Sequence, residues 1–212
     1  MTPSRSPHNG LHTAGFTLAE LVITIAIVSM VGVIIGKFQG DIFSFNRLFY
    51  SSFSSADQAQ KLLRPMTAEL RSASQSSNGS YPIESFAAND ITFYSDIDNN
   101  SKKDKVRYYV SGTTMYKQVT APTGNPSVYN PANTVSTTFM TGVRNVSAGL
   151  ATFRYFSSAH TGGDTGEVVP GSGNIEDVRL VKITIRTDAD PAQPPAPTDV
   201  TTQVSIRNLK QQ

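Results

Sequence analysis

The chain has 212 residues, with 18 Lys and Arg against 16 Asp and Glu, a formal net charge of +2, 16% charged residues and no cysteine. A charge balance this even supplies no electrostatic footprint for a polyanion, and the missing cysteines exclude disulfides, thiolate nucleophiles and Cys-ligated metals. No P-loop, HExxH or nucleophile elbow occurs, and two of the three histidines (His8 and His12) precede residue 15, leaving only His160 in a later loop, so no enzymatic activity is expected.

The first 15 residues are polar, with Arg5, His8 and His12, and end in the small pair Ala14-Gly15. From Phe16 to Ile35 the chain is apolar for 20 residues, about 30 Å as a helix, which matches one bilayer crossing. One charge interrupts it: Glu20. Burying a lone carboxylate in a bilayer costs roughly 2.5–3.5 kcal/mol on insertion scales, so an acid at that depth implies a partner. The order is the reverse of an ordinary secretory signal, in which small residues follow the apolar run; cleavage before the run would keep the anchor. Gly32, Gly36 and Gly40 recur every four residues on one helix face, a spacing that lets helices approach closely in lipid. Residues 16–36 are therefore read as a membrane and assembly helix.

The helical period continues over 37–77. Phe49, Phe53, Ala56, Ala59, Leu63, Met66, Leu70 and Ala73 trace an apolar stripe suited to packing on a sheet, and Pro65 is expected to kink the helix or open a turn near Lys61-Leu62. Ser76–Ser80 carries turn chemistry that should end it. In 78–212 the period becomes two. Strands are expected at Ile91–Ser95, Lys105–Ser111 and Thr114–Thr120, with a tight turn at Gly112, then at Leu150–Phe156, Val181–Arg186 and Val200–Arg207. Residues 121–137 and 157–174 read as loops, and Asp188–Asp199 as a proline-rich connection. One long helix followed by hairpin-connected strands predicts an α+β fold with an antiparallel sheet packed on the helix.

Gly15-Phe16-Thr17-Leu18-Ala19-Glu20, followed by Leu21-Val22-Ile23, resembles the class III leader of type IV pilins and type II secretion pseudopilins. The resemblance covers about a tenth of the chain. It implies residues 1–15 as a leader, cleavage by a prepilin peptidase between Gly15 and Phe16, N-methylation of Phe16, and filament assembly through Phe16, Glu20, Gly32 and Gly36. Glu20 would pair with the new amino terminus of Phe16 on an adjoining subunit. The layout of the remaining chain resembles the pilin fold. Major pilins of the family usually carry proline where this chain has Lys37, and the ending Thr202–Leu209 and the hairpin Ile91–Tyr109 resemble minor pseudopilins of the J class and related minor pilins; the K class typically lacks the acid matched by Glu20. The resemblance thus implies a minor subunit of a pilus or secretion pseudopilus, placed near the tip or in initiation. Implied partners are other pilins or pseudopilins, the peptidase, an inner-membrane assembly platform and, before assembly, membrane lipid. The implied location is the inner membrane, single-pass with the globular part outside the cytoplasm, and then a filament. A surface-binding minor pilin, adhesive or DNA-capturing, is the alternative.

Two polar clusters carry candidate ligands. Asp96, Asp98, Asn100 and Asp104 present oxygens at alternating positions, as a calcium loop does, and some pseudopilins bind calcium. The sixth-position glycine and twelfth-position Glu are missing, however, and an Asp/Asn-rich hairpin tip is the favoured reading, with no cofactor. Lys102, Lys103, Lys105, Arg107 and Lys117, with Tyr109 and Tyr116, could contact phosphates and stack bases. The acids beside them favour an ordinary solvated hairpin instead, so nucleic acid is not an expected partner.

Overall fold

The computed structural model describes residues 15–188 and 197–209, and the side chains of all of these except 44–58. The leader segment 1–14, Phe49, Phe53 and Ala56 of the apolar stripe, and 189–196 of the proline-rich connection therefore lie outside the described residues or side chains. The chain divides into two compact units, Met1–Arg47 and Leu48–Gln212.

Helix α1 runs over Leu18–Arg71 and passes through Pro65 without a break, so that of the kink or turn expected there no turn opens at Lys61-Leu62. Proline removes one hydrogen bond from a helix interior. Here its flanks are held by packing, because Leu63, Met66 and Leu70 are all buried. The stripe is as expected over Ala59, Leu63, Met66, Leu70 and Ala73, which lie in the core of the second unit. At the first unit's end of the helix the pattern is opposite: Leu18–Phe43 is exposed on every side and is long and apolar enough to cross a membrane.

The strands form two antiparallel sheets rather than one. The first has five strands in sequence order: β1 (Ile83–Ala87), β2 (Asp90–Ser95), β3 (Asp104–Ser111), β4 (Thr114–Thr120) and β5 (Thr134–Thr141). The second has three: β6 (Phe153–Phe156), β7 (Leu180–Thr187) and β8 (Thr198–Ser205). The β3–β4 hairpin turns through Gly112-Thr113, since Ser111 pairs with Thr114. Gly112 has φ +59°, the positive value that the first central residue of a type II′ turn requires and that glycine supplies without strain. Strands β1 and β5 were not expected. The stretch 134–137, read as loop, belongs to β5, an edge strand exposed along most of its length, so its Thr/Ser-rich sequence carries no apolar alternation. Strand β6 begins three residues later than expected, at Phe153, because the amides before it are engaged elsewhere: Leu150 N–H donates to Asn145 O and Thr152 N–H to Asn89 Oδ1.

Strand β7 alternates inward and outward along its length, as its sequence requires. Beyond Ile183 it outruns β6. Its next carbonyl and amide are met by a side chain: Asn145, fully buried, donates Nδ2–H to Thr184 O and accepts from Arg186 N–H on Oδ1, both at 2.8 Å. Arg144 N–H then donates to Arg186 O, and Val143 bridges Thr187. One amide thus stands in for a strand and seams the first sheet's exit to the second sheet. Tyr155 closes the same interface from within, its hydroxyl donating to Ala87 O at 2.8 Å and its ring meeting Phe86 edge-on.

The helix is fastened to the first sheet by more than apolar contact. Glu69 accepts from Lys117 Nζ at 2.5 Å and from the Tyr108 hydroxyl at 2.8 Å, with both charged side chains largely buried. Burial and the adjacent carboxylate hold the Tyr108 phenol far above its ordinary range.

Candidate functional site

The apolar segment organises its own start. Thr17 precedes the helix, and its Oγ1 accepts from Glu20 N–H at 3.3 Å, while Leu21 N–H donates to Thr17 O at 3.1 Å. Thr17 is therefore the N-cap and Glu20 the third helical residue, the Thr-x-x-Glu spacing of a capping box. The carboxylate sits in the first turn, where the unsatisfied amides and the helix dipole favour negative charge. Thr17 escaped the sequence reading, although Thr-Leu-Ala-Glu spells the motif. One turn on, Thr24 directs its hydroxyl to Leu21 O at 2.8 Å, which satisfies it without solvent.

Gly15 and Phe16 lie just before the helix, and Phe16 is 81% exposed. A Cβ added at Gly32 or Gly36 would meet nothing within 4 Å, so that face is open for another helix to approach. Nothing in the described chain covers Glu20 or the apolar side chains around it. A surface of this kind is stable only in lipid or against other helices.

The hairpin tip between β2 and β3 gathers Asp96, Asp98 and Asn100, whose oxygens accept from backbone and side-chain N–H groups of the tip itself. Asp96 accepts from Asn100 and Ser101 N–H, both at 3.0 Å, and Asp98 accepts from Asn100 Nδ2 at 2.7 Å. Asp104, nearly fully buried, accepts from Ile97 N–H at 3.3 Å; burial raises its carboxyl above the usual range. These are Asx-type turn contacts, and among the described residues no three acidic or His side chains group to hold a metal.

The basic and aromatic residues split between two faces of the first sheet. Lys117 turns inward to Glu69. Outward, Lys105 pairs with Glu84 at 2.7 Å, Arg107 grips Asp90 through two nitrogens, and Lys103 lies 3.5 Å from Asp96. Tyr109 and Tyr116 stack on one another at 5.2 Å, with Arg107 over the Tyr109 ring. Each of these four cations has an acid beside it. His160, in a loop as its sequence context suggests, is half-buried: it packs on Phe156 at 4.2 Å and hydrogen-bonds Thr165 O through Nδ1.

Comparison with protein-family models finds no match to the chain, and comparison with curated proteins finds none either.

Proposed function

We propose that this chain is a minor pilin or pseudopilin, a structural subunit of a type IV pilus or type II secretion pseudopilus that acts near the tip or in initiation. The observation that carries the reading is a helix segment, Leu18–Phe43, exposed on all sides and apolar, uncharged from Leu21 to Gly36 and carrying one acid, Glu20, in its first turn just after the Gly15-Phe16 junction, with Lys37 and Asp41 only toward its far end. The α+β fold that follows suits the pilin fold, in which the far half of the helix packs on an antiparallel sheet.

The mechanism is assembly. Lipid covers the apolar segment while the subunit waits in the inner membrane, and neighbouring helices replace the lipid as the subunit is drawn into the filament. Cleavage after Gly15 creates an ammonium at Phe16. Glu20 of one subunit then pairs with that ammonium on the next, and the low dielectric among packed helices strengthens a charge-assisted hydrogen bond that water would weaken. A misregistered subunit would leave the acid unpaired among apolar side chains, which is costly, so the pair also sets register. Gly32 and Gly36 permit close helix approach.

Co-expression with a prepilin peptidase tests the reading. Intact-mass analysis is expected to find a polypeptide starting at N-methylated Phe16, and Gly15→Val should leave the longer precursor. A chain that keeps its polar leader under those conditions refutes the proposal.

A further inference from the structure

The outward face of the five-stranded sheet carries a cleft of about 300 Å³, lined by residues that take no part in the proposed pairing at Glu20. Its floor follows from strand register. Thr92, Arg107 and Gln118 form one cross-strand row, and Lys105, Thr120 and Thr134 belong to the next. Glu84 and Asp90 rise on one side, and Tyr129 with Pro131 closes an end. The wall is fixed: the Tyr129 ring packs on Tyr94 at 5.1 Å, and its hydroxyl donates to Lys103 O at 2.6 Å. Thr92 and Thr120 are nearly fully buried beneath the opening.

The charges in this cleft cancel. Lys105 and Arg107 are already matched by Glu84 and Asp90, so an anion or a cation entering would have to compete with an existing ion pair. Hydrogen-bonding capacity nevertheless remains. Lys105 has three N–H donors, one of which meets Glu84. Arg107 has five, with Nε and Nη2 on Asp90 and Nη1 at 3.5 Å from Gln118 Oε1. The carboxylates retain lone pairs. A hydroxyl both donates and accepts, so a ligand rich in hydroxyls can bridge these groups without separating either pair. A polar lining also sets the cleft apart from the mainly apolar pockets that take drug-like ligands, and its volume lies at the small end of binding clefts.

We propose that this cleft binds a neutral saccharide, one or two pyranose rings, with Arg107, Lys105, Asp90 and Gln118 bonding hydroxyls and the Tyr129 ring meeting an apolar sugar face. The stacked Tyr109–Tyr116 pair occupies the neighbouring row and extends the same surface. None of the lining residues belongs to the apolar segment that carries Glu20.

The test uses the full-length protein in lauryldimethylamine oxide, a detergent without a sugar headgroup. Methyl β-glucoside, methyl α-mannoside, methyl β-galactoside and N-acetylglucosamine are titrated by calorimetry and saturation-transfer NMR. Saturable binding of at least one, weakened about tenfold or more by Arg107→Ala and by Gln118→Ala, is expected. Gln118→Ala, which breaks no ion pair, should keep the parent's melting temperature and so separates lost binding from lost folding. Absence of saturation by all four sugars up to about 20 mM overturns the proposal. So does binding that survives both substitutions, or tighter binding of inorganic phosphate at the same residues.

Discussion

Glu20→Gln and Thr17→Ala separate the observed capping contact at the first turn of α1 from the proposed pairing of its acid with another subunit. Glutamine at the third helical position keeps the capping-box geometry but cannot form an ion pair. Thr17→Ala removes the 3.3 Å acceptor for Glu20 N–H but leaves the charge intact. A hydrogen bond to a charged partner contributes about 1.5–3 kcal/mol, so Glu20→Gln should lower incorporation about 10- to 150-fold at equilibrium. Loss of a threonine cap costs about 0.5–2 kcal/mol, and a bond at the long end of the N–H···O range belongs low in that interval, giving a two- to fivefold effect. The assay is the ratio of sheared filament to membrane fraction, by immunoblot, in cells carrying the rest of the assembly machinery. Membrane insertion should be unchanged in both variants. Wild-type incorporation of Glu20→Gln, or a Thr17→Ala defect as severe as that of Glu20→Gln, would show that the acid only caps its own helix.

Other expectations concern the second unit. Asn145→Ala orphans Thr184 O and Arg186 N–H and should cost about 2–4 kcal/mol; a fall in melting temperature under about 2 °C would mean that water replaces the amide. Glu69→Ala strands the Lys117 ammonium and the Tyr108 hydroxyl together and should lower the melting temperature by roughly 5–15 °C, with Glu69→Gln milder; a Glu69/Lys117 double-mutant cycle showing no coupling would contradict this. Two carboxylates should respond to pH in opposite senses. Arg154 bonds Glu167 through two nitrogens and holds its carboxyl below the usual range, so its contribution is present above the unfolded-state value of about 4 and lost as pH falls through the depressed one. Burial raises Asp104, so the folded chain prefers it protonated and loses that contribution as pH rises through the raised value. Asp104→Asn should therefore raise the melting temperature at pH 7, with the gain shrinking as pH falls through the raised value, whereas Glu167→Gln should lower it at pH 7 and converge with the parent as pH falls through the depressed one.

The parts of the fold that were legible are those in which one residue's environment repeats with the period of its element. The stripe from Ala59 to Ala73 and the alternation of β7 are read directly, because burial on one face selects apolar residues at that period. Strand β5 was not legible: Thr134–Thr138 is exposed or half-buried throughout, so neither face selects apolar residues. Pro65 offered two outcomes, a kink or a turn, and the helix runs on without the turn: the local preference is real, but the buried neighbours Leu63 and Met66 outweigh it. Two sheets looked like one because the seam between them is made by a buried asparagine, and a single polar residue has no period. At the candidate assembly site, the acid was conspicuous because it violated its surroundings, whereas its cap, a threonine before a helix, looked ordinary. The cleft on the outward face of the first sheet could not be foreseen, since it depends on which strand lies beside which.

The stand-in role of Asn145 has a consequence for how the molecule breathes. Exchange of the Arg186 amide proton needs only a rotation of one side chain, whereas amides within the paired run Leu180–Ile183 exchange when whole strands part. Deuterium should enter the end of β7 well before its middle, making that single position a local reporter of the seam between the two sheets.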